Sequence, residues 1–218
     1  MSTQTAIILG ALIVAVCSYL LGSISWSVIV SKLFFHKDVR DFGSGNAGMT
    51  NVLRTFGKGA AALVTVGDFS KSIITVAVSR AVFSNLFGTL PFDIGFVAGI
   101  FTILGHLFPL YFGFKGGKGV LTSLGMILVI NPIVFLVLLV ICVPLLFLCK
   151  IVSAVSITGA VLYPIVTYVV LTITNRPAVI DTVFSVFIGL IVVYMHRVNI
   201  KRLMNGTEYK FGKPKEEK

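Results

Sequence analysis

Carboxylates are scarce in this chain. Eight Asp and Glu face eighteen Lys and Arg over 218 residues, and charged residues of both signs total 12%. A soluble domain carries about 25% charged side chains, so an ordinary water-facing surface is excluded. The few acids do not cluster with His or Cys, which leaves no set of metal ligands, and no cofactor is expected. Cysteine is nearly absent as well. Cys17, Cys142 and Cys149 lie in apolar runs without paired spacing, which excludes a disulfide framework and assigns them to packing. The N-terminus has no basic stretch and no small-residue cleavage pattern, so Thr5–Leu21 reads as a first membrane span and not as a removable leader. No period repeats along the chain, against the duplicated architecture of many transporters. No nucleic-acid-binding motif accompanies the net charge of +10. The excess is therefore assigned to loops beside a membrane, and no nucleic-acid partner is expected.

What the chain has in quantity is hydrocarbon, at 56% hydrophobic residues. Apolar runs predict an all-α polytopic membrane protein with spans at Thr5–Val30, Ala60–Phe83, Gly95–Phe112, Val120–Ile130, Pro132–Leu148, Val152–Ile173 and Val179–Tyr194. The fourth of the seven is too short to cross alone at about 1.5 Å per residue, so it is a half-helix or borrows from the preceding loop. Asn131-Pro132 supplies a turn after it. Lys32, Lys37, Arg40, Arg54, Lys58, Lys115, Lys118, Lys150 and the basic tail fall on one side of this layout, with only Arg80 and Arg176 opposite. That bias predicts an outside N-terminus and a cytoplasmic C-terminus. Residues 1–203 are expected to form one integral-membrane domain, followed by a polar, partly disordered cytoplasmic tail at 204–218.

Three polar segments interrupt the apolar runs, all on the predicted cytoplasmic side. The first is FGSGNAGMTNVLRTFG, from Phe42 to Gly57. Glycines let backbone N–H groups converge on an anion, and Gly43, Gly45, Gly48, Gly57 and Gly59 suit that task. Ser44, Asn46, Thr50 and Asn51 add neutral donors, and Arg54 adds a forked cation that fits phosphate. A helix starting near Met49 would aim its N-terminus at the same anion. Gly43-x-Gly45-x-x-Gly48 matches a dinucleotide fingerprint but follows a membrane span instead of a strand, so it is discarded. The His36-to-Asp41 spacing matches an H-x-x-x-x-D acyltransferase signature, but the glycine and arginine blocks that accompany that signature are missing.

The second segment, GHLFPLYFGFKGGKGVLTS, sets Lys115 and Lys118 among Gly116, Gly117 and Gly119 at a helix entrance. It is not a Walker loop, yet backbone donors and ammonium groups can hold phosphate in the same way. His106 reads as a structural, hydrogen-bonded histidine. In the third, MHRVNIKRLMNGTE, His196 and Asn199 share a helix face, and a histidine can exchange protons near neutrality. Asp68 and Lys71 are spaced for a buried ion pair. Ser153 and Ser156 open the sixth span, where they either reach a site or cap the helix.

Together these segments resemble the bacterial integral-membrane acyl-phosphate:glycerol-3-phosphate acyltransferases, the PlsY family. The likeness runs over nearly the whole chain, through Gly22-Ser23-Ile24, GSGNAGMTNVLRTFGK, GHLFPLYFGFKGGKGVLTSLG and HRVNIKRLMNGTE. The resemblance implies transfer of a fatty acyl group from acyl-phosphate to the 1-hydroxyl of sn-glycerol 3-phosphate at the inner face of the bacterial cytoplasmic membrane. It implies Ser44, Arg54, His196 and Asn199 as essential residues, and the glycines around Lys115 and Lys118 as glycerol phosphate binders. A functional monomer is expected, with membrane lipid around it and other phospholipid-synthesis enzymes as candidate partners. Three positions depart from the family pattern: Ser25 stands for Pro, Ser72 for Gly and Val198 for Glu. Two other readings remain open from the residues alone, an anion transporter or channel and a relative with an altered acyl donor.

Overall fold

The computed structural model describes residues 2–88, 90 and 92–210. The last eight residues of the predicted tail, 211–218, lie outside the described residues. All regular structure among the described residues is helical. They group into two compact units that divide between Asn131 and Pro132.

The first unit contains α1 (Thr3–Gly22), α2 (Trp26–Phe35), α3 (Met49–Phe56), α4 (Lys58–Phe87), α5 (Ile94–Leu107) and α6 (Val120–Ile130). The first predicted span is broken. Its helix stops at Gly22 and restarts at Trp26, with Ser25 extended at the new N-terminus. A break in an apolar segment leaves carbonyl groups needing donors, and here the donor is remote. Lys71 Nζ on α4 donates to the carbonyls of Gly22 (2.9 Å) and Ile24 (3.0 Å). The expected Asp68–Lys71 pair forms at 3.0 Å.

Small residues let these helices approach closely. A Cβ at Gly22 would fall 2.3 Å from the Thr102 carbonyl oxygen, and one at Gly105 would fall 2.2 Å from that of Tyr19. This pair of contacts locks α1 against α5. The short α6 lies against α4 and α5. Its carbonyl end is held by Arg80, which donates to Val129 (2.5 Å) and pairs with Asp93 (2.9 Å).

Ser72 is fully buried on α4 beside Gly125 of α6. Its hydroxyl has no hydrogen-bond partner among the described residues. Burying such a group unpaired costs about 1–3 kcal/mol on mutational scales. Ser72→Ala keeps the Cβ and removes the hydroxyl, so it is expected to raise the thermal midpoint in detergent. A clear drop would show that the hydroxyl is satisfied in the membrane.

The second unit contains α7 (Pro132–Cys149), α8 (Val152–Ile173), α9 (Val179–Met195) and α10 (Arg197–Met204). Pro164 inside α8 cannot bond the carbonyl four residues earlier, that of Ala160. Gly189 of α9 packs over that carbonyl, where a Cβ would come within 2.6 Å. α10 turns 60° away from α9.

Among the described residues, five helical segments are long and apolar enough to cross a membrane, counting α1 and α2 together. The bent α9–α10 pair would be a sixth, and α6 stays too short. The protein is thus an all-helical, multi-pass membrane protein.

Candidate active site

The first polar loop is folded around one side chain. Asn51, 2% exposed, donates through Nδ2 to the carbonyls of Val39 (2.9 Å), Phe42 (2.9 Å) and Asn46 (3.1 Å). Its Oδ1 accepts from the Ser44 N–H at 3.0 Å. The side chain expected to offer a donor to phosphate is instead committed to the loop's own backbone. Gly43, at φ +59°, runs so close that a Cβ would fall 2.3 Å from Asn51 Oδ1. Gly45 is also left-handed, so the chain reverses over Asn51 and leads through Asn46, Ala47 and Gly48 into α3. Thr50 lies in the first turn of α3, and Arg54, half-buried, lies one turn further along. The Arg54 stem passes beside Gly43.

The second loop folds back on the end of α5. The N–H groups of Gly116 and Gly117 donate to the carbonyls of Leu107 and His106, both at 3.1 Å. A Cβ at Gly116 would fall 2.0 Å from the His106 oxygen, a backbone atom that cannot yield. Lys115 is exposed, Lys118 is half-buried, and Gly119 takes a left-handed turn (φ +82°) into α6.

The two loops are joined. Asn46 Nδ2 donates to the Gly116 carbonyl at 3.4 Å, and Arg40 donates to the Phe112 carbonyl at 2.6 Å. The two glycine-rich loops are thus held side by side, with Arg54 on the helix that leaves the first and Lys115 and Lys118 in the second. Such cations suit a phosphate dianion.

Arg40 was not singled out in the sequence, since its partners lie in distant turns. Asp38 steers it, accepting from the Arg40 backbone N–H (3.0 Å), Nε (2.9 Å) and Nη2 (2.8 Å). Hydrogen bonds from the Arg40 side chain hold the Asp38 carboxyl well below the usual carboxylate range. A depressed carboxylate adds stability that is complete above its unfolded value of about 3.9 and disappears as pH falls below that through the folded value. The thermal midpoint should therefore fall on acidification below about pH 4. Asp38→Asn should show a smaller fall over the same window, while an equal fall would remove Asp38 from the account.

The second unit carries the last motif. His196 ends α9 and is 2% exposed. Its Nδ1 lies 2.8 Å from the Val192 carbonyl, which can only accept. Nδ1 therefore bears the proton, and in the neutral ring the lone pair sits on Nε2. Asn199, buried on α10, donates through Nδ2 to Glu208 Oε1 at 2.8 Å, and Ser153 Oγ donates to the same oxygen at 3.0 Å. Ser153 and Asn199 are thus brought together. Ser156 is not joined to them, because its hydroxyl donates to the Val152 carbonyl (2.9 Å) of its own helix.

Glu208 is the residue that reading the sequence left without a role. Its signal was Gly206, whose left-handed turn (φ +67°) and the Thr207 N–H bond to Arg202 O (2.9 Å) end α10 and reverse the chain. Val198, where the resemblance leads one to expect Glu, is exposed.

Comparison with known proteins agrees with this architecture. Residues 12–206 match the family model described as glycerol-3-phosphate acyltransferase. A glycerol-3-phosphate acyltransferase of Clostridioides difficile is 42% identical over 205 residues, covering 94% of this chain and 97% of the relative. One from Macrococcus caseolyticus is 42% identical over 193 residues, covering 88% and 93%. The crystal structure of PlsY, an integral membrane glycerol 3-phosphate acyltransferase, in its glycerol 3-phosphate form superposes with a TM-score of 0.80 at 36% identity, covering 93% of this chain and 96% of that one. The same enzyme's lysophosphatidic acid form gives 0.77 at 35% identity. With the family model spanning most of the chain and relatives matching it nearly end to end, this membrane protein belongs to the glycerol-3-phosphate acyltransferase family.

Proposed function

We propose that this enzyme transfers a fatty acyl group from acyl-phosphate to the 1-hydroxyl of sn-glycerol 3-phosphate, releasing 1-acyl-sn-glycerol 3-phosphate and inorganic phosphate. The observation that carries the reading is the joining of the two glycine-rich loops. Both substrates bear phosphate, and the joined loops carry the cations Arg54, Lys115 and Lys118 that suit such groups. The glycerol 3-phosphate and lysophosphatidic acid forms of the related PlsY support the acceptor and the product.

Acyl-phosphate is an activated mixed anhydride, so no covalent acyl-enzyme is required. The glycerol hydroxyl attacks the acyl carbon directly, and phosphate leaves. Holding the two reactants in register supplies much of the rate, and loop donors stabilise the oxyanion as it forms. Ser44 and Arg54 act at the first loop. Gly43, Gly45, Asn46, Gly48 and Thr50 shape that loop while Asn51 holds it closed, and Gly116, Gly117 and Gly119 shape the second. His196 Nε2 is the candidate proton acceptor, with a substrate phosphate as the alternative. Asn199 and Ser153 orient the acceptor substrate. The basic bias of the loops supports a site at the cytoplasmic face of the inner membrane.

The test uses purified protein, labelled glycerol 3-phosphate and three donors, namely palmitoyl-phosphate, palmitoyl-CoA and palmitoyl acyl-carrier protein. Product from palmitoyl-phosphate alone is expected. Arg54→Ala should lower that rate about 100-fold, since a charge-assisted phosphate contact is lost. Product from the thioesters instead would reassign the donor. No product from any donor, in folded protein, would remove the enzymatic reading and direct attention to anion flux in liposomes.

A further inference from the structure

His106 reads from sequence as a structural histidine, and the acyl-transfer scheme gives it no part. Its surroundings give it a specific one. The ring lies at the centre of a buried cluster in the first unit. Nδ1 is 3.0 Å from Lys71 Nζ and 3.4 Å from Asp68 Oδ1. Lys71 also holds the Gly22 and Ile24 carbonyls at the break between α1 and α2. An ammonium only donates, so Nδ1 accepts from Lys71, and the neutral ring carries its hydrogen on Nε2. That end of the ring faces the second loop. A Cβ at Gly117 would fall 2.2 Å from His106 Nε2 and 2.9 Å from the carbonyl of Ala47 in the first loop. One point is therefore shared by the imidazole edge, the Gly117 backbone and the Ala47 backbone. Asn46 and Gly116, the residues that join the two loops, adjoin it in sequence.

We infer that His106, held at Nδ1 by the Lys71 of the Asp68–Lys71 pair, is the positioning residue that sets the spacing between the two glycine-rich loops, and through it the affinity for the phosphate of the acceptor substrate. The ring is a spacer with two jobs at its two ends. The Nδ1 end is tied to the ion pair, which is in turn tied to the helix break. The Nε2 end supports the loop backbone. This inference rests on the acyltransferase reading given above.

Two substitutions separate the ends. His106→Asn puts an amide oxygen at the Nδ1 position, keeping an acceptor for Lys71 and deleting the end that faces Gly117. His106→Gln keeps a polar group near the Nε2 position and deletes the acceptor for Lys71. His106→Asn should retain the wild-type thermal midpoint and raise the KM for glycerol 3-phosphate about tenfold, with the KM for palmitoyl-phosphate and kcat little changed. His106→Gln should lower the thermal midpoint and keep the KM for glycerol 3-phosphate within about threefold. A residue that merely fills space would move stability and KM together in both variants, and that result overturns the inference. Either variant alone still decides: a stable His106→Asn with unchanged KM, or a folded His106→Gln with a tenfold KM, refutes it.

A third measurement starts from a variant in the wild-type background and needs only His106→Asn to fold. Gly117→Ala should raise the same KM in the wild-type background and add less in His106→Asn, where the nearest obstructing atoms, those of the imidazole, are gone and the Ala47 carbonyl at 2.9 Å remains. Independent effects would sink the spacer role. Wild-type turnover in the same preparation separates the two readings. If the acyltransferase reading fails, no chain makes product; if only this inference fails, all make product and the KM values do not split.

Discussion

Asn51→Asp is expected to lower turnover at least ~100-fold while the helices remain folded. The change is nearly isosteric, one amine for one oxygen. In the wild type that nitrogen faces the carbonyls of Val39, Phe42 and Asn46 from a buried position. The aspartate puts an acceptor against three acceptors. Each buried polar group left unpaired costs about 1–3 kcal/mol, and more if the new carboxyl ionises. Every tenfold in rate corresponds to about 1.4 kcal/mol, so loss of the loop's closed form is enough to silence a site built on it. Asn51→Ala loses the same bonds without the repulsion and should fall between the two. Initial rates with saturating donor, beside a thermal scan in detergent, test this. A retained rate in Asn51→Asp would mean that the loop's closed form is not the working one.

The second large effect is at His196. If Nε2 takes the hydroxyl proton, His196→Ala should lower kcat about 10²–10⁴-fold, the usual span for a lost general base. The anchoring of Nδ1 on the Val192 carbonyl makes a finer comparison possible. His196→Gln fills most of the volume and offers an amide where Nε2 stood, but it cannot take up a proton at neutral pH. Equal losses in Gln and Ala identify proton transfer as the missing function. A near-normal rate in Gln, with binding intact, hands the proton to a substrate phosphate and leaves His196 as a hydrogen-bonding contact.

The helices were largely legible because each is a long apolar run, and the bounds of α6 and α8 follow from turn residues and polar breaks beside them. The division between α1 and α2 was not. Gly22-Ser23-Ile24-Ser25 sits inside a continuous apolar run, and what satisfies the break is Lys71, a partner 49 positions beyond Gly22. No local window contains that information. The same limit applies to the site. Glycines marked the two loops as places where the backbone can take a positive φ, and Gly43, Gly45 and Gly119 do so. Residue types could not say which side chain faces outward and which is spent within, so Asn51 was grouped with the donors it holds in place. Glu208 escaped for a related reason, since its role depends on the reversal at Gly206 and not on any spacing from Asn199.

The shortness of α6 bears on how the protein is made. At about 1.5 Å per residue, its eleven residues span roughly half of a ~30 Å hydrocarbon layer. A segment of that length has little tendency to leave the translocation machinery for lipid by itself. The surfaces it packs on belong to α4 and α5, and the side chain that satisfies its terminal carbonyl is Arg80 of α4. Both helices precede it in the chain. During synthesis from the N-terminus its receptor is already embedded when α6 emerges, so a segment that cannot partition alone is admitted by protein that arrived earlier. An ordered biogenesis is the expected consequence. Chains interrupted after α5 hold a docking surface awaiting its occupant, and an exchange of Arg80 should show first as poor membrane integration, ahead of any defect in catalysis.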